Sequence, residues 1–367
     1  MKLLALCFAL FVAAAPPAAV ADDPKVRPGE WSKRKIPAGW VVIETDNFHI
    51  QSQCGEEKGR ALGEHLEAMH EVYQELLSSR RKAPTYVLKI FEDRKAFTAY
   101  QGSTAVAYYN KGTKELVGYD TGVILGKRDI PAIIKLKPEF EGELTDAERA
   151  RLDELFEKIS DTWTFDLARV LSHEGWHQYF HTYTVSWVKM PSWLDEGVGD
   201  YFFMAERDGQ NGGKHGYRIG DTNWHRVRSV RRGLAEGSAV SFEELLDFEQ
   251  QQYYSNPGVF YAQGWSMVHF LLQHENKKWR ELPVKLIKSF KDTKNFRKSN
   301  DKVFKKVDME ELEREWLGWL LSLPYEDPLL DLANEFGARI TIEDLDCKDS
   351  LKSVYSWYLN NAEALFE

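Results

Sequence analysis

Hydrophobic and polar positions follow two rhythms along the chain, and the change comes near residue 161. In the first half, short runs rich in β-branched and aromatic residues predict strands. Trp40-Val41-Val42-Ile43-Glu44-Thr45 is one, and Phe48-His49-Ile50-Gln51 is its continuation or partner. Over residues 56–77 the apolar positions Leu62, Leu66, Met69, Val72, Tyr73 and Leu76 recur at helical spacing. Tyr86-Val87-Leu88-Lys89-Ile90-Phe91 predicts another strand, and residues 93–100 a short helix. Residues 105–125 alternate, with Gly112 and Gly118 marking turns, and predict further sheet. Residues 127–160 are strongly charged and hold a solvated helix over 145–159.

Beyond residue 161 the period becomes helical. Helices are predicted over 164–182, over 192–206 behind Pro191, and over 259–272, 284–290 and 310–321, with short patches such as 351–359. Ser241 starts another, with Glu244 at the capping-box spacing. Residues 207–221 are glycine-rich and read as a loop. No internal repeat is visible. The expected fold is α+β: a sheet part over 39–160, a helical part over 161–275, and a helical C-terminal region over 276–367.

The N-terminus has its own pattern. Met1-Lys2 precedes an uncharged apolar run over 3–15, and Ala19-Val20-Ala21 is a small-x-small cleavage site before Asp22-Asp23. This predicts a secretory signal peptide over 1–21 and a proline-bearing linker over 22–38. The run is shorter than the roughly 20 residues that span a bilayer. The expected location is therefore secreted, or periplasmic and cell-envelope, with no membrane span in the mature form. Of the three cysteines, Cys7 falls in the signal, and Cys54 and Cys347 either pair or stay free and buried.

Charge narrows the function. The chain carries a net −9, and loss of Lys2 with the signal makes it one unit more negative. No basic stripe offsets this, so nucleic acid is excluded as a partner.

The chemistry sits in the helix over 164–182. His173 and His177 of His173-Glu174-Gly175-Trp176-His177 lie four apart, one turn above the other, and present two imidazoles to one cation. Glu174 lies one step round, beside the open coordination position, where a carboxylate can move a proton. Nineteen residues after His177 comes Glu196, in Trp193-Leu194-Asp195-Glu196-Gly197, as the third ligand. Asp195 is the alternative. Glu196 is preferred because Asp200, four residues on, is placed to support a ligating histidine. Gly197 and Gly199 each cost a helix about 1 kcal/mol, which suits close helix packing. Two His and one carboxylate favour Zn2+. His181 continues the histidine face but reaches less well and is expected in a surface or core role. The metzincin pattern fails, because Phe180 and Tyr183 stand where Gly and His are required.

The combination of His173-Glu174-x-x-His177 with Trp193-Leu194-x-Glu196-Gly197 resembles the gluzincins, the thermolysin-like zinc peptidases. More narrowly it resembles bacterial peptidase-MA-like proteins, which share a Phe-x-Ile strand (Phe48-His49-Ile50), a strand and Asp-Arg turn (Ile90 to Phe97) and a Tyr-Ala-Gln-x-Trp helix (Tyr261 to Trp265). The resemblance spans about residues 40–320. It implies a zincin-like fold over 39–275, peptide or protein substrates, Glu174 as general base, and a sheet edge that pairs with substrate, here about Leu116 to Ile124. Tyr261 is the candidate oxyanion donor, with Tyr201 and His269 behind it. Two other functions compete: a non-catalytic zincin-fold scaffold, and an aromatic-rich wall binder. Trp176, Trp265 and Trp316 fall in apolar helical patterns, which makes them core and weakens the second.

Overall fold

The computed structural model describes residues 39–78, 85–101, 105–121, 134–136, 144–162, 166–181, 190–207, 215–323, 328–337 and 340–342. The expected signal segment and linker, Cys347 and the helical patch at 351–359 lie outside the described residues.

The sheet part begins with β1 (Val41–Glu44) and β2 (Phe48–Ser52), an antiparallel pair. Helix α1 (Gly55–Leu76) then crosses to β3 (Tyr86–Phe91), which runs parallel to β2. After α2 (Arg94–Gln101), a hairpin of β4 (Ala107–Asn110) and β5 (Glu115–Tyr119) completes a five-stranded mixed sheet. Its order is β1-β2-β3-β5-β4. The expected edge over Leu116 to Ile124 is corrected here. β5 inserts between β3 and β4, and β4 is the edge. The alternation predicted sheet over this stretch but neither the two strands nor their order, because pairing partners carry no local signature.

Alternation sorts the two faces. Ile50 packs so tightly against α1 that a Cβ on Gly63 would lie 2.6 Å from its side chain. On the opposite face α2 lays Phe97 against the Tyr108 and Tyr119 rings, 5.5 and 5.2 Å away. That face also holds a buried ionic group that sequence reading missed: Lys89 Nζ lies 2.5 Å from Glu115 Oε1, with the Tyr100 hydroxyl donating to Glu115 at 3.2 Å. Burial pulls the Lys89 pKa down to about 7, with Glu115 opposing.

The chain continues through β6 (Ile134–Leu136), α3 (Asp146–Thr162), α4 (Leu167–Tyr179) and α5 (Ser192–Phe203). The small β7 (Glu206–Arg207) and β8 (Tyr217–Arg218) pair antiparallel. Helices α6 (Trp224–Ala235), α7 (Phe242–Leu246), α8 (Gln250–Tyr253) and α9 (Pro257–Gln273) follow. Then come α10 (Lys277–Arg280), α11 (Leu282–Thr293), α12 (Phe296–Phe304), α13 (Met309–Ser322) and α14 (Pro328–Phe336). Strand β9 (Ile340–Ile342) pairs with β6. A mixed sheet followed by mostly helical structure is the α+β arrangement expected. Trp176, Trp265 and Trp316 are fully buried core residues, as read. The helix α6 was not anticipated, although Trp224, Val227, Val230 and Leu234 give it an apolar stripe between its arginines. Cys54 is half-buried, and its Sγ donates to the Phe91 carbonyl at 3.2 Å.

Two helices carry the site, and both are buried along their whole length. Asp166 caps α4 by accepting from the Ala168 N–H at 2.9 Å. α1 pins α4 from the sheet side. Tyr73 donates to the Ser172 carbonyl at 2.6 Å. The His65 ring sits 2.8 Å from the Ala168 carbonyl and 2.7 Å from the Tyr217 hydroxyl. α5 lies between α4 and α9 and approaches both closely through its glycines. A Cβ on Gly197 would stand 2.7 Å from the Gly264 carbonyl of α9, and one on Gly199 would stand 2.9 Å from the His173 ring of α4.

Candidate metal centre

Histidines four apart on α4 bring their Nε2 atoms within 3.0 Å of each other. Glu196, from the first half of α5, sets its Oε2 at 3.2 Å from His173 Nε2 and 3.3 Å from His177 Nε2. Three electron-pair donors at this separation repel unless protons or a cation lie among them. Tetrahedral zinc, with bonds of about 2.0–2.1 Å, separates its ligand atoms by about 3.3 Å. The donor set and its spacing therefore fit a divalent ion. Among the described residues His173, His177 and Glu196 form a buried group close enough to hold one.

The other ring nitrogens are held as a metal site needs. His173 Nδ1 lies 3.1 Å from Asp200 Oδ1, the partner expected from sequence. Asp200 Oδ2 in turn pairs with Arg226 of α6 at 2.8 Å, with both groups buried. His177 Nδ1 lies 2.8 Å from Asp195 Oδ1. Asp195, weighed as an alternative ligand, meets the His177 ring and also belongs to a second group, with His177 and His181, close enough to hold an ion. The Tyr254 hydroxyl donates to Glu196 Oε1 at 2.7 Å, which leaves Oε2 turned to the histidines.

Electrostatics follow the geometry. Burial opposes charge on His173, yet hydrogen bonds to Asp200 and Glu196 carry its pKa up to about 9. His177 is likewise held well above its ordinary value against burial, chiefly by the charges of Asp195 and Glu196. Burial also works on Glu196, but the two histidines pull it below the usual carboxylate range. Glu174 behaves differently: burial pushes its carboxyl up, with the histidines opposing. Metal uptake must displace protons from the imidazoles.

Glu174 is buried beside the triad, and its Oε2 accepts the backbone N–H of Tyr109 at 2.8 Å. Tyr109 belongs to β4, the edge strand among the described residues, and its N–H turns that edge toward the site. Tyr261 stands one layer back. It is 1 % exposed, hydrogen-bonds the Tyr254 hydroxyl, and has the Arg226 guanidinium 5.5 Å over its ring. Tyr201 and His269 are not brought to the triad. Tyr201 accepts from Gln273 at 2.6 Å and lines a separate cavity of about 850 Å³, and His269 bonds the Gly220 carbonyl at 2.9 Å.

Sequence reading missed Arg226 and Tyr254. Arg226 belongs to the unanticipated helix, and Tyr254 follows a helix of only four residues. No motif spacing links either to the histidines.

Residues 167–294 match the model of a family described as "Protein of unknown function (DUF1570)". The matched segment opens at the first residue of α4, contains every residue of the triad and its supports, and closes just after α11. No curated protein matches the chain.

Proposed function

We propose that this protein is an exported zinc-dependent peptidase of the gluzincin type, with a zincin-like fold. His173, His177 and Glu196 would hold the ion, and Glu174 would act as general base. The observation that carries the reading is the position of Glu174. A carboxylate is buried within electrostatic reach of both histidines and Glu196, and it is tied by hydrogen bond to the sheet edge. A site that held metal only for structure would have no use for it.

A zinc ion held by His173, His177 and Glu196 would supply Lewis acidity toward a peptide carbonyl and a water molecule. Glu174 takes a proton at its carboxylate and passes it to the leaving nitrogen. The β4 edge binds the substrate backbone as an added strand. The Tyr109 N–H sets the register between that edge and Glu174. For the oxyanion donor we favour Tyr254 over Tyr261, because the Tyr254 hydroxyl donates directly to Glu196, whereas Tyr261 hydrogen-bonds Tyr254. Peptide or protein substrates follow from this reading. Export rests on the N-terminal pattern, and no helix among the described residues is long and apolar enough to cross a membrane.

The test pairs metal analysis with cleavage of a peptide library. Wild type is expected to carry stoichiometric zinc and to cleave. His173→Ala should lose the metal, and Glu174→Gln should keep it and lose hydrolysis. Undiminished cleavage by Glu174→Gln would refute the mechanism.

A further inference from the structure

The Asp195 carboxylate is shared between two imidazoles. Its Oδ1 meets His177 Nδ1 at 2.8 Å, and its Oδ2 meets His181 Nε2 at 2.5 Å. His181 stands where α4 ends in a wider turn at Phe180 and His181. Such turns recur at functional sites. The His181 ring lies 6.1 Å from that of His177, centroid to centroid, and meets Asp195 in the first turn of α5. Its plane lies nearly parallel to that of the Tyr109 ring on β4, with centroids 6.3 Å apart and an angle of 12°. Lys111, in the β4–β5 turn, brings its Nζ to 4.0 Å from the same Asp195 oxygen. His181 is therefore a joint between the ligand helices and the sheet edge.

A second cation among His177, His181 and Asp195 is the competing account, since their ligand atoms lie close enough together. It requires His177 to serve two ions at once, one on each nitrogen, because its Nε2 already faces His173 and Glu196. It also requires both Asp195 oxygens to give up the ring nitrogens they meet. A hydrogen-bonded brace satisfies every atom without either change.

We infer that His181 is a positioning residue for the metal centre: its N–H fixes the Asp195 carboxylate, and that carboxylate fixes the ring of His177. The inference rests on the metal-binding reading above and adds a residue that neither binds the ion nor touches substrate. Without the brace, Asp195 is free to rotate and the His177 ring loses its fixed partner. Losing such indirect support typically costs about 10–100-fold in metal affinity.

The experiment measures zinc affinity of the full chain by competition with a chromophoric chelator, with the cobalt-substituted absorption spectrum as a second readout. His181→Phe keeps a ring against Tyr109 but has no N–H. His181→Gln has no ring but returns an N–H close to the position of Nε2. The expected result is a loss of about 10–100-fold in His181→Phe, a shifted cobalt spectrum, and recovery of most of the loss in His181→Gln. Wild-type affinity and spectrum in His181→Phe overturn the inference. So does a His181→Gln as weak as His181→Phe, since returning the N–H then restores nothing. If His181→Phe does not fold, His181→Ala carries the same expectation. A wild type that binds neither zinc nor cobalt refutes the metal-binding reading itself, and is recognised before any variant is compared.

Discussion

Replacing Gly199 by Ala adds one methyl group at the most confined point of the site. The new Cβ would stand 2.9 Å from His173 Cε1 and Nε2 and 3.0 Å from Nδ1. Carbon atoms rest at about 3.5–4.0 Å, so ring or helix must move by roughly half an ångström or more. The ring is held at both nitrogens, by Asp200 on one side and by Glu196 and His177 on the other. Helix α5 is also unable to retreat, because Gly197 already brings it against the Gly264 carbonyl of α9. Overpacking of this kind costs about 1–3 kcal/mol, and the better helix propensity of Ala returns about 1 kcal/mol. Net destabilisation should therefore stay within about 2 kcal/mol, and the protein should fold. Metal ligands tolerate errors of only about 0.2 Å, so zinc affinity should fall by about 10–100-fold. Chelator competition measures the affinity and thermal unfolding the stability. Gly318→Ala is the control: nothing lies within 4 Å of its added Cβ, so helix stability should rise slightly and zinc affinity should stay constant. Wild-type zinc affinity in Gly199→Ala would show that the His173 ring is not confined as described.

Other residues give equally direct tests. Lys89→Met strands the buried Glu115 carboxylate and should cost about 3–5 kcal/mol in urea unfolding, whereas Lys89→Met with Glu115→Leu should be near neutral. Burial holds the His65 pKa down to about 4, against 6.5 ordinarily, so the unfolded chain takes up the proton first as pH falls. The stability from the neutral ring is complete above about pH 6.5 and is lost progressively toward pH 4, by about 3 kcal/mol; His65→Gln should flatten this part of the pH profile. Tyr254→Phe should lower kcat about 100-fold with zinc retained, and Tyr261→Phe should lower it less; the reverse order restores Tyr261 as the donor.

How far the sequence reached can be judged from particular residues. Periodicity located α1, β3, α4, α5 and α9 to within a few residues, because each has an apolar pattern dictated by its own burial. The grouping of His173, His177 and Glu196 was legible for a related reason. The two histidines share one helix face at a fixed spacing, and helical geometry brings them together wherever that helix lies. Asp200 was legible through the same four-residue step from Glu196. Asp195 was also placed at the site, but which of its oxygens meets which ring depends on how α5 sits against α4.

The tertiary structure alone decided the rest. Strand order put β4 at the sheet edge, through pairing between segments whose sequences do not name their partners. Arg226 reached Asp200, and Tyr254 reached Glu196, across separations that no local period spans. His181 was expected in a surface or core role, and its contact with Asp195 appears only when α5 packs against α4. By itself the sequence determined which side chains one helix presents together. The packing of α4, α5 and α9 against the sheet determined which of them meet, because those contacts depend on close backbone approach at Gly197 and Gly199 rather than on any repeat along the chain.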